Sequence, residues 1–231
     1  MTSTEWIEQV KEHLGERVLS VEERTPGRIY AELKPEAVVP AADWLFNQRG
    51  ARFVITVGVD GRPLNGHFKA LHIFSLDQDQ LFLTLCTELD GGAPAIDSIT
   101  PRVPAANWAE RELHDVIGVQ LRGHPDPRRL LLADDWPEGV FPLRKDFPYN
   151  GRPEPDPQAR PSLKEPPEGA TVLPVGPFYP VLEEPAYFRL FIESETVVGC
   201  DYRGFYNHRG IEKLGDSQLT INQVPFLAER I

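Results

Sequence analysis

The first fifty residues carry apolar side chains at spacings that switch between helical and strand-like. Residues 4–14 repeat them every three or four positions, which predicts a helix that ends at Gly15. Residues 18–21 and 28–33 predict two strands joined by a Pro-Gly turn. Helical spacing returns over residues 35–48. The chain is therefore predicted to open with a helix, a pair of strands and a second helix.

Three more strands are predicted after this second helix. Residues 53–59 alternate in the manner of a strand and lead into Asp60-Gly61, a hairpin turn signal. Residues 68–75 and 80–86 predict the returning strands. Together these elements predict an α+β fold class, with a small N-terminal domain whose mainly antiparallel sheet has helices packed on it.

A third helix begins a charged strip that runs from Asn107 to Pro148. Asn107 and Glu110 have the spacing of a capping box, which predicts the start of this helix. Apolar residues from Leu113 to Ile117 then share one helical face.

The other faces of this helix pair opposite charges. Glu110 with His114, and Arg111 with Asp115, stand four residues apart, where side chains on a helix meet. The rest of the strip sets Arg128-Arg129 and the sequence Pro-Leu-Arg-Lys-Asp-Phe-Pro among prolines, which restrain the backbone. Charges beside apolar residues on such a backbone are typical of a rigid segment pressed against another surface.

The composition changes after residue 150. Residues 151–173 are rich in proline and polar side chains and show no periodicity, which predicts a linker or a strap laid over a partner. Residues 174–231 predict a β-hairpin followed by a helix. The predicted domains are therefore 1–150, a linker at 151–173, and a second segment at 174–231.

Charge and cysteine content narrow the classes of function. The 231 residues carry a net charge of −11, which disfavours nucleic-acid partners and adhesion to anionic lipid. No apolar run approaches a membrane span, and the charged N-terminus is unlike a signal peptide, so we expect a cytoplasmic chain. Cys86 and Cys200 do not form a Cys-x-x-Cys pair, so no complete thiolate metal site is predicted.

The charged strip resembles the signature of the 30 kDa subunit of respiratory complex I, a module that also opens the large subunit of energy-converting NiFe hydrogenases of the formate hydrogenlyase type. His114 and Pro127 depart from that signature, where complex I usually has Trp and commonly Leu. The matching residues are Glu110, Arg111, Glu112, Asp115, Gly118, Gly123, His124, Pro125, Asp126, Arg128, Arg129, Leu143, Arg144, Lys145, Asp146, Phe147 and Pro148.

This resemblance implies that the charged residues dock a neighbouring large subunit. The alternative is an internal salt-bridge network, and the two interpretations are compatible because desolvated charge pairs fix register more than affinity. The residues in question are Glu110, Arg111, Glu112, Asp115, His124, Arg128, Arg129, Arg144, Lys145 and Asp146.

Residues 174–231 resemble the opening of the family shared by the complex I 49 kDa subunit and the NiFe hydrogenase large subunits. The resemblance implies that His208, Arg209 and Lys213 lie near an active site and that Glu212 is a catalytic candidate; the alternative is a structural network at a helix start. The matching residues are Gly204, His208, Arg209, Gly210, Glu212, Lys213, Leu214, Gln223, Leu227, Glu229, Arg230 and Ile231.

Two positions separate the branches of this family. Quinone-reducing members resemble Gly-Pro-Gln-His-Pro-x-Thr-His-Gly, whereas here Tyr179 and Glu183 stand at the two histidines. The form Leu-Glu-Glu-Pro resembles the hydrogenase branch, and a carboxylate such as Glu183 is suited to proton relay. The alternative for Glu183 is a solvated acidic loop.

In the hydrogenase branch the motif that reaches Ile231 continues directly into Cys-Gly-Ile-Cys, the first nickel ligands. We therefore expect this sequence to be a fragment of a large subunit, with no cofactor of its own. The resemblance implies a NiFe centre in the C-terminal part and iron–sulfur clusters in partner subunits.

The partners that this implies are the core of a hydrogenase large subunit, a small iron–sulfur subunit and, indirectly, membrane antiporter-like subunits. The chain would then lie on the cytoplasmic face of the inner membrane through these partners. The alternatives are a fused C–D subunit of NADH:quinone oxidoreductase and a non-catalytic assembly scaffold.

Overall fold

The computed structural model describes residues 1–180 and 183–230. Val181, Leu182 and Ile231, which belong to the motifs above, lie outside the described residues. The chain packs as two units: the first comprises Met1–Pro127 and Arg144–Asp146, and the second comprises Arg128–Leu143 and Phe147–Ile231. The charged strip thus contributes residues to both. These units are defined by packing, and the boundaries predicted at residues 150 and 173 stay predictions.

A five-stranded mixed sheet forms the centre of the first unit. Its order is β1-β2-β5-β4-β3, with β2 and β5 parallel and every other pair antiparallel. Its strands are β1 (Val18–Thr25), β2 (Arg28–Leu33), β3 (Arg52–Asp60), β4 (Phe68–Leu76) and β5 (Leu81–Leu89). A separate parallel pair joins β6 (Ala95–Asp97) to β7 (Gln120–Arg122).

Four helices accompany this sheet. They are α1 (Ser3–Leu14), α2 (Val38–Asp43, continued by a π-helix at Trp44–Gln48), α3 (Arg62–Asn65) and α4 (Asn107–Ile117). α1 begins with a capping box between Thr2 and Glu5. α4 packs so closely on β3 that a Cβ on Gly58 would lie 2.3 Å from a methyl carbon of Leu113. A side chain at residue 58 would therefore push the helix away from the sheet.

The second unit contains a three-stranded antiparallel sheet and two short helices. The sheet joins β8 (Thr171–Val175), β9 (Tyr187–Glu193) and β10 (Thr196–Arg203) in the order β10-β9-β8. The helices are α5 (Ile211–Ser217) and α6 (Val224–Ala228). The residues between 128 and 170 in this unit are largely irregular.

The α+β fold class and the mainly antiparallel first sheet are confirmed. Two local predictions are wrong. Asp60-Gly61 does not make a tight hairpin, because α3 lies between β3 and β4. Asn107 does not cap α4: Ala106 holds the N-cap position without a side-chain hydrogen bond, and the Glu110 carboxylate binds elsewhere.

None of the helices in the described residues combines the length and apolar character that a membrane crossing requires.

Candidate functional site

Asp60 and Asp146 share one arginine in the first unit. The Arg62 guanidinium donates to Asp60 at 2.6 and 2.9 Å and to Asp146 at 2.9 and 3.1 Å. Burial alone would raise the pKa of Asp60, but these bonds and the Lys145 backbone N–H, at 2.8 Å, hold that pKa at about 2. Asp60 is therefore ionised at neutral pH and fixes the end of the charged strip beside β3.

Arg144 is anchored in the same unit. Its Nε donates to the Ile117 carbonyl at 2.7 Å, at the end of α4, and its guanidinium lies 5.0 Å from the centre of the Phe68 ring. The guanidinium of Arg62 lies 4.5 Å from the same ring. Burial lowers the pKa of Arg144, and the positive charge of Arg62 adds to this effect. These contacts tie strip residues 144–146 to the first sheet.

Glu110 is fully buried at the start of α4 and serves as an acceptor. Its carboxylate accepts from Ser98 Oγ at 2.5 Å, Ile99 N at 2.8 Å, and both Thr100 N and Thr100 Oγ1, at 3.2 and 2.6 Å. Four donors satisfy the charge where water does not reach it. The side chain braces residues 98–100 against α4.

His124 lies beside this carboxylate. Its Nδ1 accepts the Asp126 N–H at 3.0 Å, so the neutral ring carries its proton on Nε2. Nε2 lies 3.3 Å from the Asn107 carbonyl and 3.9 Å from Glu110 Oε2. Burial lowers the pKa of His124, although the nearby Glu110 charge opposes this effect. His124 therefore links the Gly-His-Pro-Asp turn to α4 as a neutral ring.

Arg111 and His114, two further strip residues of α4, also contact neighbouring parts of the first unit. Arg111 is buried and lies 3.5 Å from Asp126, and Asp115 is also buried. Glu112 is half-buried. His114 Nδ1 lies 2.9 Å from the Val119 carbonyl, so its ring turns toward the end of the helix.

In the second unit the Asp201 carboxylate binds two arginines that are distant from it in the sequence. It accepts from Arg128 at 2.9 Å and from Arg189 at 3.3 Å. The Lys164 backbone N–H also donates to it at 2.8 Å. Burial would raise the pKa of Asp201, but these donors lower it. Arg128 further donates to the Ser162 carbonyl at 3.1 Å, so the proline-rich segment is clamped at residues 162–164.

Two arginines shape the irregular chain that follows Arg128. Arg129 donates to the carbonyls of Ala133 and Trp136 at 3.1 and 2.6 Å. Arg203, at the end of β10, donates to the Arg129, Leu130 and Leu132 carbonyls at 2.7 to 3.3 Å. These bonds satisfy backbone acceptors that regular secondary structure would otherwise satisfy.

A cavity of about 500 Å³ opens in the second unit. We call it the HRG cavity, because His208, Arg209 and Gly210 line it together with residues 131–134, 136, 142, 147, 149, 151, 203–206 and 213. The resemblance implied that His208, Arg209 and Lys213 lie near an active site. All three line this cavity, and their place beside an active site stays a prediction.

His208 and Glu212 form a hydrogen-bonded pair 2.9 Å apart. The hydrogen bond from His208 lowers the pKa of Glu212 below its usual range. A carboxylate held in its ionised form is a poor proton donor near neutral pH. This geometry favours a structural role for Glu212. Glu183, the other catalytic candidate, is exposed beside Tyr179 and Pro185.

The described residues do not fit a NiFe centre. Nickel in such a centre needs several soft thiolate ligands. Cys86 belongs to β5 of the first unit, where burial raises its pKa to about 12, whereas Cys200 belongs to β10 of the second. In the described part of the chain, no group of three or more His, Cys, Asp and Glu side chains could hold a metal ion.

The sequence did not single out Arg62 or Asp201. Arg62 follows Asp60-Gly61, which resembles a hairpin turn, so the sequence did not suggest that Arg62 binds two carboxylates. A β-bulge between Val197 and Gly199 places Asp201 opposite Arg189, whereas an unbroken register would place it opposite Phe188. The signal available was one opposite charge on each strand of the predicted hairpin, Arg189 on β9 and Asp201 on β10.

Comparison with known proteins agrees with the motifs. The chain is 39% identical over 218 residues to hydrogenase-4 component G of Escherichia coli (strain K12), which covers 93% of this chain and 39% of that protein. It is 37% identical over 213 residues to formate hydrogenlyase subunit 5 of the same organism, covering 90% and 37%. Its length is thus less than half that of these relatives.

A third relative is the C/D subunit of NADH-quinone oxidoreductase from Methylococcus capsulatus, 31% identical over 187 residues, covering 72% of this chain and 31% of that protein. The model of the family "Respiratory-chain NADH dehydrogenase, 30 Kd subunit" matches residues 31–153, which include the whole charged strip. The chain belongs to the family of the respiratory-chain NADH dehydrogenase 30 kDa subunit.

Proposed function

We propose that this chain is part of the large subunit of an energy-converting NiFe hydrogenase of the formate hydrogenlyase type, and that its first unit serves assembly. One observation carries the proposal: the 39% identity to hydrogenase-4 component G extends over 93% of the chain, far beyond the 30 kDa module. The C/D relative is 31% identical and covers 72% of the chain.

The geometry suits an assembly role for the first unit. Strip carboxylates such as Glu110 and Asp146 are hydrogen-bonded with neighbouring groups, so they can stiffen a docking surface. Asp146 remains 67% exposed while Arg62 holds it, which presents a fixed negative charge to a partner. Such fixed charges favour correct docking more than tight binding.

The proposed cofactors lie outside the 231 residues, with a NiFe centre in the core of the large subunit and iron–sulfur clusters in a small partner protein. Membrane antiporter-like subunits complete the proposed complex, which holds the chain at the cytoplasmic face of the membrane. Glu183 is the proposed proton carrier of this chain, because it is exposed and stands where the quinone-reducing motif has its second histidine.

A fused C–D subunit of NADH:quinone oxidoreductase is the second candidate, favoured by the 30 kDa family match. Tyr179 and Glu183 count against it, because they replace the two histidines of the quinone-reducing motif. A non-catalytic assembly scaffold is the third.

Purification of the native complex tests these candidates. The full-length protein would be affinity-tagged at its native locus, extracted from membranes in mild detergent, and its co-purifying subunits identified by mass spectrometry. We expect an iron–sulfur subunit and membrane subunits, together with hydrogen-dependent reduction of a viologen dye. NADH:quinone activity without hydrogen-dependent activity would favour the second candidate and overturn the proposal. A complex with neither activity would favour the scaffold.

Glu183→Gln in that complex tests the proton carrier. We expect hydrogen-dependent dye reduction to fall about 10²-fold or more, the usual size of a general acid–base contribution. The set of co-purifying proteins should not change. The neighbouring Glu184→Gln is the matched control, and an equal effect of both variants would contradict a specific role for Glu183.

A further inference from the structure

The HRG cavity has a mixed lining of cations and aromatic rings. Its described lining includes three cationic side chains, Arg203, Arg209 and Lys213, and one carboxylate, Asp134. Asp134 lies 3.6 Å from Arg203, so its charge is directed to that arginine. The lining is therefore net positive, although the whole chain carries a net charge of −11.

Three aromatic side chains of the cavity are unusually accessible. Tyr149 is 52% exposed, Tyr206 46% and Phe205 38%. Aromatic residues are enriched at protein interfaces, where they bury a large apolar area at little conformational cost. Their exposure at a cationic cavity indicates a surface suited to contact with another polypeptide.

The backbone beside the cavity adds an independent observation. Phe205 adopts φ of 62°, in the left-handed region that bulky residues rarely occupy. Such a conformation persists only where the surrounding structure imposes it. Here it presents the Phe205 ring at the cavity, next to Tyr206.

We propose that the HRG cavity is the docking site for an acidic segment of a partner subunit, which places one or more carboxylates near Arg209 and an apolar side chain against Tyr206 and Phe205. Charge complementarity identifies the occupant, because a second copy of this acidic chain or an anionic membrane surface would on average be repelled by its net charge. The inference rests on the proposed role as a subunit of a larger complex.

Site-specific photo-cross-linking in the native complex tests the proposal. The full-length protein would carry p-benzoylphenylalanine in place of Tyr206, or in place of Tyr179 as a control that is 49% exposed and outside the cavity. We expect the Tyr206 probe to capture a segment rich in Asp and Glu from a co-purifying subunit, and the Tyr179 probe not to capture it.

A synthetic peptide of the captured segment then measures the contribution of charge. Arg209→Gln removes the charge-assisted hydrogen bonds of this arginine, so it should raise the Kd of the peptide for the full chain about tenfold or more. Arg160→Gln, an exposed arginine outside the cavity, should leave Kd unchanged.

Three results would overturn the proposal: no cross-link from residue 206, capture of a segment without carboxylates, or equal Kd values for the Arg209→Gln variant and the unmodified chain. The activity of the purified complex separates this outcome from failure of the proposed function. An acidic segment captured from a complex without hydrogenase activity would sink the proposed function and leave the docking site intact.

Discussion

Different kinds of contact stabilise the interior of each packing unit. The first unit buries apolar side chains on the inner strands of its main sheet, β2, β4 and β5, and on helices α1, α2 and α4. Examples are Phe68, Phe74 and Leu85. Among the described residues the second unit buries five: Leu130, Leu131, Leu132, Ala186 and Phe191. Arginines in the second unit instead hold backbone carbonyls and Asp201.

This contrast indicates which unit depends on its surroundings. Burial of apolar surface is the main contribution that offsets the conformational entropy of an ordered chain. The first unit has that contribution, and carboxylates such as Glu110 are satisfied by their neighbours. The second unit buries little apolar surface, and its exposed aromatic side chains could bury more of it against a partner. We therefore expect the first unit to be stable by itself and the second to be completed by assembly.

The largest expected effect comes from breaking the polar centre of the first unit. Glu110→Ala leaves the donors of Ser98, Ile99 and Thr100 buried without their acceptor. We expect a loss of about 3–5 kcal/mol in the free energy of unfolding, as for other broken buried charge contacts. Urea denaturation followed by tryptophan fluorescence measures it, because Trp6 and Trp44 are buried in this unit.

Glu12→Ala, on the exposed side of α1, is the matched control for that experiment and should change stability by less than about 0.5 kcal/mol. An equally small effect of Glu110→Ala would mean that the first unit does not depend on its buried carboxylate.

A second effect should appear as pH dependence. His72 is fully buried, with Nδ1 2.9 Å from Thr56 Oγ1, and burial lowers its pKa to about 4. The unfolded chain then binds more protons than the folded chain, so stability is lost as pH falls from about 6.5 to about 4. This difference corresponds to about 3 kcal/mol.

Urea midpoints measured across this pH range check the sign. His72→Gln should flatten the slope, whereas His67→Gln, at an exposed position, should preserve it. Stability that rises as pH falls through this window would contradict the burial of a neutral ring.

A smaller effect is expected from the clamp of the second unit. Asp201→Asn removes the charge that holds Arg128, Arg189 and the Lys164 N–H. Because Arg128 is partly exposed, we expect a cost of about 1–3 kcal/mol, below that of a fully buried pair. Trypsin should then cleave faster after Lys164, which is followed by Glu165. Asp216→Asn, on α5, is the control, and equal cleavage rates for both would show that the clamp does not restrain the proline-rich segment.

The smallest effect is expected at an exposed ion pair of the first unit. Arg122 and Asp97 lie 2.6 Å apart with side chains 53% and 49% exposed. Water screens such a pair, so Arg122→Ala should cost about 0–1 kcal/mol in urea denaturation. A loss of stability as large as that of Glu110→Ala would mean that solvent exposure does not determine how much these contacts contribute to stability.

Local patterns in the sequence predicted most of the regular elements, and distant pairings escaped them. Helix α1 and strands β2, β4 and β5 follow apolar periodicity, which depends on neighbouring residues. The capping box at Asn107 failed because residues 98–100 offer Glu110 four donors from another part of the chain. Arg128 and Asp201 are 73 residues apart, and no local pattern connects them.

The candidate site was predicted only in part. The family motif singled out His208, Arg209 and Lys213, which line one cavity, but their predicted place near an active site stays a prediction. The sequence did not predict that Tyr149 and Tyr206 line the same cavity, because irregular segments of the second unit bring these two residues there.

Hydrogen–deuterium exchange of the full chain, free and within its purified complex, is the sharpest test of the contrast between the two units. We predict that amides of β4 and β5 are strongly protected in both states. Amides of β9 and β10 should exchange rapidly in the free chain and at least about tenfold more slowly in the complex, because ordering there depends on a partner. Protection of β9 and β10 in the free chain equal to that of β4 and β5 would contradict this dependence.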